Sequence, residues 1–289
     1  MRAQKLSRMV LLFAACLFAA GGASAAVTEA PRPAPEAEPV TPAPDADPGT
    51  SWLDGRRVRL TASTGVDFST GDYGTGVDSD IWNVPFGLKF ELDPFVLRVT
   101  VPYVVINGPV TLVGDNPEPL PGFTNTRDGI GDVLVAASYV FFPEPQWLPV
   151  MEFTGKVKFG TASASKGLGT GEIDYALQFD VSKTFGIVTP FAGAGYKFIG
   201  DPSGIDLQNK AYASAGGSVR VASWLSAGVA YDWSQSSVPG RPDSHELSPF
   251  GTIKLGRYFR IDPYAVIGLS QNAPDWGAGL QLRFVLERD

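Results

Sequence analysis

The single histidine of this chain, His245, lies in the run Asp243-Ser244-His245-Glu246. A serine, a histidine and a carboxylate within hydrogen-bond reach of one another would make a hydrolase site. Here the three residue types are adjacent, and neighbouring residues of an extended segment point in opposite directions. No glycine-based nucleophile elbow surrounds the serine. The run therefore predicts a solvated loop histidine and no catalytic site.

Metal and phosphate sites are disfavoured by residue type. With one histidine, the metal ligands would have to be carboxylates, and Asp115, Asp128 and Asp132 do not have the spacing of a calcium loop. Gly71 and Gly76 are spaced as in a phosphate-binding loop, but valine and aspartate follow where lysine and a hydroxyl residue are required. We therefore predict no enzyme activity and no cofactor or metal ion.

The elements that carry these residues show a period of two. Between residues 172 and 182 the apolar side chains alternate with polar ones and are Ile173, Tyr175, Leu177, Phe179 and Val181. Successive side chains of a β-strand point to opposite faces, so this strand has one apolar and one polar face. Residues 147–159 repeat the pattern. About twelve such strands without an intervening helical period predict an all-β fold, a transmembrane antiparallel up-and-down β-barrel of about 12 strands.

The predicted strands are separated by connections that alternate in length. They cover residues 56–69, 79–92, 95–106, 129–142, 147–160, 171–183, 187–199, 208–220, 223–234, 245–255, 259–270 and 275–286. Short turns follow the even-numbered strands, and longer Gly/Pro/Asn/Asp-rich loops follow most others. Membrane barrels have short periplasmic turns and long outer loops, and an even strand number leaves both termini in the periplasm. The 107–128 loop carries apolar residues that could plug the barrel or present a surface.

Aromatic residues mark the two ends of the predicted strands. Near the outer ends are Trp82, Tyr103, Phe159, Tyr175, Tyr196, Phe198, Tyr231, Trp233 and Trp276; near the periplasmic ends are Phe95, Tyr139, Phe141, Trp147, Trp224 and Phe284. Amphipathic rings prefer the headgroup level, so two girdles indicate two interfaces with outer-membrane lipid. A secreted soluble β-sandwich or barrel, the alternative fold, gives no reason for this placement.

Charged residues fall on the opposite face of the predicted strands. The candidates for lining the lumen are Lys89, Arg98, Asp132, Glu152, Lys156, Lys158, Glu172, Asp174, Asp180, Lys197, Arg220, Asp232, Lys254 and Arg283. Each would cost a few kcal/mol in hydrocarbon, so these side chains must face inward. They could form a salt-bridge lattice or a polar lining for a diffusing solute, and Asp174 is expected near Lys156 or Lys158. Twelve strands leave open a narrow pore or a plugged cylinder.

The first fifty residues differ in composition from the rest. Residues 1–25 have a basic start, an apolar core and a small-residue cleavage site, which predicts a signal peptide. A lipoprotein anchor at Cys16, the only cysteine, is the alternative. Residues 26–50 are rich in Pro, Ala and Glu and predict a periplasmic linker, either a spacer or a contact with the cell wall. Residues 51–289 form the predicted barrel, and the net charge of −7 argues against nucleic acid as a partner.

Three glycine motifs follow one another in the first half of the predicted barrel. They are Asp128-Gly129-Ile130-Gly131-Asp132, Thr154-Gly155 and Gly167-Leu168-Gly169-Thr170-Gly171. In these motifs the chain resembles the outer-membrane family labelled as the MetA pathway of phenol degradation. The resemblance implies an outer-membrane barrel that takes up aromatic or other hydrophobic compounds, and it brings no catalytic residues.

One feature departs from the pattern of membrane barrels. Their last residue is commonly an aromatic one read by the barrel-insertion machinery, whereas here five residues follow Phe284. The insertion signal is therefore expected to be shifted inward or less standard.

Together these observations predict a passive transporter or channel for small molecules in the outer membrane, with the solute unspecified. A structural or surface-interaction protein is the main alternative, and an outer-membrane hydrolase is the other.

Overall fold

The computed structural model describes residues 58–113, 116–118, 120, 123–141 and 148–288. The predicted signal peptide, its Cys16, the linker and Trp147 of the predicted girdle lie outside these residues. No helix in the described part of the chain is long and apolar enough to cross a membrane.

The described residues form fifteen strands and one short 3-10 helix. The strands are β1 (Val58–Gly71), β2 (Ser79–Leu92), β3 (Phe95–Asn107), β4 (Thr111–Val113), β5 (Asn116–Glu118), β6 (Arg127–Ile130), β7 (Val133–Phe141), β8 (Val150–Phe159), β9 (Asp174–Ser182), β10 (Val188–Phe198), β11 (Lys210–Ala222), β12 (Leu225–Ser234), β13 (Ser244–Leu255), β14 (Phe259–Gly268) and β15 (Trp276–Arg288). The 3-10 helix spans Ala164–Lys166 and lies between β8 and β9.

The sheet closes on itself as an antiparallel barrel. Each barrel strand pairs with its neighbour in the chain, and β1 pairs with β15 from Val58↔Arg288 to Thr70↔Trp276. Strands β6 and β7 both pair with β3 and make one interrupted barrel strand, so the barrel has twelve strands. The predicted fold class is confirmed. Strands β4 and β5 form a separate two-stranded sheet within the β3–β6 connection.

The strand predicted at 129–142 is interrupted, which the alternation of its residues does not indicate. Tyr103 pairs with Ile130 and Thr100 pairs with Leu134, so two residues of β3 face three residues of the β6–β7 segment. Pro102, one of those two, has no N–H to donate to the ladder. The N–H of Gly131 donates to its carbonyl at 2.9 Å. The interruption is a β-bulge, and Asp132 lies within it, between the end of β6 and the start of β7.

The strand predicted at 171–183 begins three residues late, at Asp174. Gly171 has a φ of +79°, a left-handed conformation that turns the chain before the strand starts. Glu172 therefore belongs to the β8–β9 loop and not to a barrel strand, which corrects the predicted boundary.

The two ends of the barrel differ in the length of their connections. At the turn end the connections are 93–94, 142–149, 183–187, 223–224 and 256–258; at the loop end they are 72–78, 108–126, 160–173, 199–209, 235–243 and 269–275. The outer face is apolar: Leu88, Leu177 and Leu282 are each about half exposed. Aromatic residues are exposed at both ends, including Trp276 and Trp224. The one cluster of buried apolar side chains lies at the loop end within the described residues.

Candidate solute pathway: the lumen and its plug

The inner wall is polar, and the strand register defines it. Residues directly opposite one another share a face, and the row Lys89, Arg98, Ala136, Lys156, Ala176, Lys197 and Lys210 crosses seven neighbouring strands on the face away from the exposed leucines. The same face carries the other strand-borne candidates, which are Glu152, Lys158, Asp174, Asp180, Arg220, Asp232, Lys254 and Arg283. Asp132 and Glu172 lie beside the loop end of β7 and β9.

A buried ion cluster joins three of the candidates at the loop end. The Nζ atom of Lys158 lies 2.6 Å from Oδ2 of Asp132 and 3.2 Å from Oδ2 of Asp174, and it donates to the carbonyl of Glu172 at 3.1 Å. The other oxygens of the two aspartates accept from the N–H groups of Ala162 and Gly200 at 2.8 Å each. Of the two lysines expected near Asp174, Lys158 is its partner because the register sets these residues opposite each other.

Ion pairs also cross the turn end of β1, β2, β3 and β8. Arg98 bonds Glu152 at 3.1 Å, and Lys89 bonds Glu91 at 2.7 Å. Arg59 bonds Glu287 across the closing seam at 2.9 Å. On this side of the barrel the inward charged side chains therefore form ion pairs with one another.

The β3–β6 connection folds into the loop end of the lumen and forms a plug, defined as residues 108–126. Val110 and Val113 are completely buried, and Leu112 is nearly so. Val110 and Leu112 pack with Ile81, Val104 and Ile106 of the wall, and with Tyr73, Ala162 and Leu168 from two other loops. From the sequence, this loop could either plug the barrel or present a surface. Its apolar side chains are buried inside the mouth, which supports the plug.

Glu118 bonds the plug to the β12–β13 loop on the opposite side of the mouth. Its side chain is 1% exposed, and its carboxylate accepts from Ser236 Oγ at 3.1 Å and from the N–H of Ser237 at 2.8 Å. These serines belong to the β12–β13 loop, across the barrel from β3. Hydrogen bonds to a buried carboxylate are stronger than those between neutral groups, but two of them can break without unfolding of the barrel.

Arg127 fastens the near side of the plug. Its guanidinium donates to the carbonyls of Gly108 at 2.8 Å, Asn125 at 3.0 Å and Gly167 at 3.3 Å, and also to that of Val110. The cation lies 5.3 Å from the centre of the Phe123 ring. Arginine has five donors in a fixed fork, so one side chain can hold several backbone carbonyls of a folded loop.

The β1–β2 loop closes the mouth from a third side. Tyr73 is 1% exposed, its hydroxyl shares a hydrogen bond with Ser69 at 2.8 Å, and its carbonyl accepts from Arg241 at 2.8 Å. Burial raises the pKa of the Tyr73 hydroxyl well above its usual range, so the group stays neutral. Glu118, Lys210 and Glu246 line a cavity beneath it that has room for about one water molecule.

The candidate hydrolase residues are not brought together. Ser244 donates to Glu246 at 2.9 Å, whereas His245 Nδ1 bonds the hydroxyl of Tyr231 at 2.6 Å on the other face of β13. Asp243 accepts from the indole of Trp233 at 3.0 Å. Among the described residues, no group of three or more His, Cys, Asp or Glu side chains is arranged to hold a metal ion.

Sequence reasoning missed Glu118 and Arg127 as functional residues. Arg127 immediately precedes the first glycine motif, and Glu118 lies between Pro117 and Pro119 in a loop that also contains apolar residues. A charged residue close to apolar residues that become buried needs a polar partner. The sequence contains no indication that this partner would be the β12–β13 loop.

A closed antiparallel barrel with an apolar, aromatic-bordered outside and a charged inside defines a class of protein, the outer-membrane β-barrel.

Within that class the chain belongs to the family described as "Putative MetA-pathway of phenol degradation", whose model matches residues 59–285. The resemblance seen in the glycine motifs is confirmed. No curated protein matches the chain.

The chain is similar in architecture to several solved barrels. The toluene transporter TodX of P. putida is 10% identical with a TM-score of 0.38, and the alignment covers 81% of this chain and 89% of TodX. The β domain of the Bordetella autotransporter BrkA is 12% identical with a TM-score of 0.47 and coverage of 80% and 99%. The translocator domain of NalP from Neisseria meningitidis is 10% identical with a TM-score of 0.46 and coverage of 80% and 87%.

Proposed function

We propose that the protein is a passive channel for small molecules whose loop-end mouth opens when the plug moves. The observation that carries this proposal is how the plug is attached. Strands β4 and β5 pair with each other and, within the described residues, with no barrel strand. The plug can therefore leave the mouth without breaking any of the ladders that hold the barrel closed.

The anchors of the plug have energies suited to a reversible gate. Glu118 makes two hydrogen bonds and Arg127 makes four. A hydrogen bond to a charged group contributes about 1.5–3 kcal/mol, and part of this is regained when water replaces the partner. Detaching the Glu118 side alone therefore costs a few kcal/mol, so the open state would form without unfolding of the barrel.

The solute class follows from the family and from the composition of the pathway. The family description refers to phenol degradation. A small aromatic compound passing this lumen would meet apolar plug residues such as Leu112 at the mouth and a polar wall beneath it. We therefore propose small aromatic compounds as the solutes.

A structural role is the second candidate, and the closed mouth is the observation that favours it. A barrel whose plug never leaves would be a rigid outer-membrane scaffold with its long loops exposed. The two candidates differ in one measurable property, which is permeability.

Planar-bilayer conductance of the purified barrel tests the proposal. Ile106 and Arg127 lie directly opposite each other, so a short Gly-Asn turn can replace residues 109–124 without straining the strands. We expect the shortened protein to conduct in long openings and the intact protein to conduct in brief ones. Shortening the 201–207 segment of the β10–β11 loop, most of which is exposed, is the matched control and should leave conductance unchanged. A shortened barrel that neither conducts nor passes phenol into liposomes would refute the channel.

A further inference from the structure

The polar inner wall contains two phenylalanines. Phe191 of β10 and Phe250 of β13 share a face with the inward lysines Lys197 and Lys254. Every other phenylalanine in the described barrel strands faces outward. An outward position would place a phenyl ring in hydrocarbon, whereas these two rings remain partly exposed inside the barrel. Burial of apolar surface therefore does not explain why they face the lumen.

The other inward aromatic residues of the described strands are two tyrosines, and both have a polar reason to face the lumen. The hydroxyl of Tyr212 donates to Gln178 at 3.1 Å, and that of Tyr264 donates to Asp67, so each bonds another strand of the wall. A phenylalanine has no group that could make such a bond. The structural role of the tyrosines is therefore not shared by the phenylalanines.

The two phenyl rings meet over the strands that separate them. Phe191 is directly opposite Gly216 of β11, and Phe250 is directly opposite Gly228 of β12. Neighbouring strands are about 4.8 Å apart, so β10 and β13 are separated by roughly 14 Å. The ring centroids are nevertheless only 6.1 Å apart, with an interplanar angle of 51°. The side chains thus reach towards each other over β11 and β12 and form one aromatic surface, here called the ring pair.

Glycine allows the rings to come this close to the wall. A Cβ atom at Gly216 would lie 2.7 Å from Cζ of Phe191, and one at Gly228 would lie 2.5 Å from Cζ of Phe250. Each Cβ atom would also meet a backbone carbonyl of the adjacent strand. Glycine weakens the interior of a strand and often marks a place where another group approaches closely. The two positions therefore reduce strand stability and hold the rings against the wall.

A hydroxyl group lies beside the ring pair. Ser218 of β11 is directly opposite Gly228, and its side chain faces the lumen and is partly exposed. Its hydroxyl makes no hydrogen bond to any described residue, whereas that of Thr189, on its other side, bonds Thr184 at 2.9 Å. A serine hydroxyl can both donate and accept. One polar group next to the aromatic surface is thus able to bond a ligand.

From this arrangement we infer that the ring pair and Ser218 form a binding site for a phenolic compound, with its ring against Phe191 and Phe250 and its hydroxyl on Ser218. Aromatic rings pack with centroids about 4.5–7 Å apart, so a planar ligand can join the pair as a third ring. The inference deepens the proposed function and rests on its premise that small aromatic compounds enter this lumen. Phe191 is three residues from the turn end of β10 and Phe250 is five from that of β13, so the site lies between the plug and the turn end.

Binding of 4-fluorophenol to the purified barrel in detergent, followed by fluorine NMR, tests the inference. Cyclohexanol has the hydroxyl without the aromatic ring, and we expect it to displace the probe about tenfold less well than phenol does. Phe191→Leu and Phe250→Leu keep an apolar side chain without its ring. Each should weaken binding of 4-fluorophenol about two- to tenfold, the range that aromatic pairs give, and the double variant should weaken it further.

Two further variants make the result specific. Ser218→Ala should weaken binding of 4-fluorophenol about two- to tenfold, the effect of one neutral hydrogen bond, and should leave binding of fluorobenzene unchanged. It removes one hydroxyl from a partly exposed side chain, so it gives an answer even if a ring variant does not fold. Phe179→Leu is the matched control, because it makes the same substitution on the exposed outer face of β9 and reports any change in partition into detergent. Heat-modifiable migration on gels shows which variants fold.

Three results would overturn the inference. They are a folded double variant that binds 4-fluorophenol as well as Phe179→Leu does, equal displacement of the probe by cyclohexanol and phenol, and an equal effect of Ser218→Ala on 4-fluorophenol and fluorobenzene. Because binding is measured without flux, a barrel that binds 4-fluorophenol through these residues but never conducts would refute the channel and leave this site standing. A barrel that conducts and shows none of these differences would do the reverse.

Discussion

Replacing Lys158 by methionine should destabilise the barrel more than any other single loss of charge at its loop end. The lysine is 3% exposed, and the two aspartates that it bonds are 8% and 2% exposed, so water screens these contacts little. Without the ammonium group, two carboxylates face each other across a methionine. Breaking a buried pair by removing one partner costs about 3–5 kcal/mol.

Urea unfolding of the detergent-solubilised barrel, followed by tryptophan fluorescence, measures this cost. With a slope of about 3 kcal/mol per molar, a loss of 3 kcal/mol lowers the midpoint by about 1 M. Heat-modifiable migration on gels reports whether each variant reaches the folded state at all.

Two comparisons make the result specific to the ion cluster. Lys166→Met makes the same substitution at an exposed residue of the neighbouring loop and should leave the midpoint unchanged. The double variant Lys158→Met, Asp174→Leu should recover part of the loss, because only one buried carboxylate, that of Asp132, then lacks its cation and no second carboxylate faces it. If Lys158→Met and Lys166→Met unfold at the same urea concentration, the cluster does not stabilise the barrel and our reasoning is wrong.

Three further predictions concern the plug and the girdle. Arg127→Met should raise the rate of protease cleavage within 108–126 at least tenfold, because three hydrogen bonds to the plug and one to Gly167 of the β8–β9 loop are lost; cleavage as slow as in Lys166→Met would contradict this. Glu118→Gln should increase the open probability in bilayers about fivefold, the effect of about 1 kcal/mol between charged and neutral hydrogen bonds; an unchanged probability would exclude Glu118 as an anchor. Trp276→Ala, which loses an exposed ring beside Phe68, should lower the folded yield in liposomes more than Leu280→Ala on the same face.

The strands and their faces could be predicted because a period of two is a local property. Leu177 is exposed on the outside and Asp174 is buried inside, as the alternation requires. The bulge at Gly131 could not be predicted from its own strand, because its cause is Pro102 on the strand opposite. A proline there could have suggested an irregularity, but only once the register was known.

The site was less predictable than the fold because its contacts are long-range. Asp174 was expected near Lys156 or Lys158, and the choice between them depends on the register, because a slip of two residues would set Asp174 opposite Lys156 instead. The contact of Glu118 with Ser236 joins residues 118 positions apart.

The seam between β1 and β15 has a consequence for how the chain folds. Its Arg59–Glu287 bond spans 228 positions, whereas most barrel ladders join strands that are consecutive in the chain. Hairpins can form as soon as their two strands exist, but the seam has to wait for the last one and closes the largest loop in the molecule. Until then the first strand and the growing end of the sheet each present an open row of N–H and C=O groups, which hydrocarbon does not tolerate. Insertion should therefore be all-or-none, and a chain shortened within β15 should accumulate as an aggregate and not as a smaller barrel.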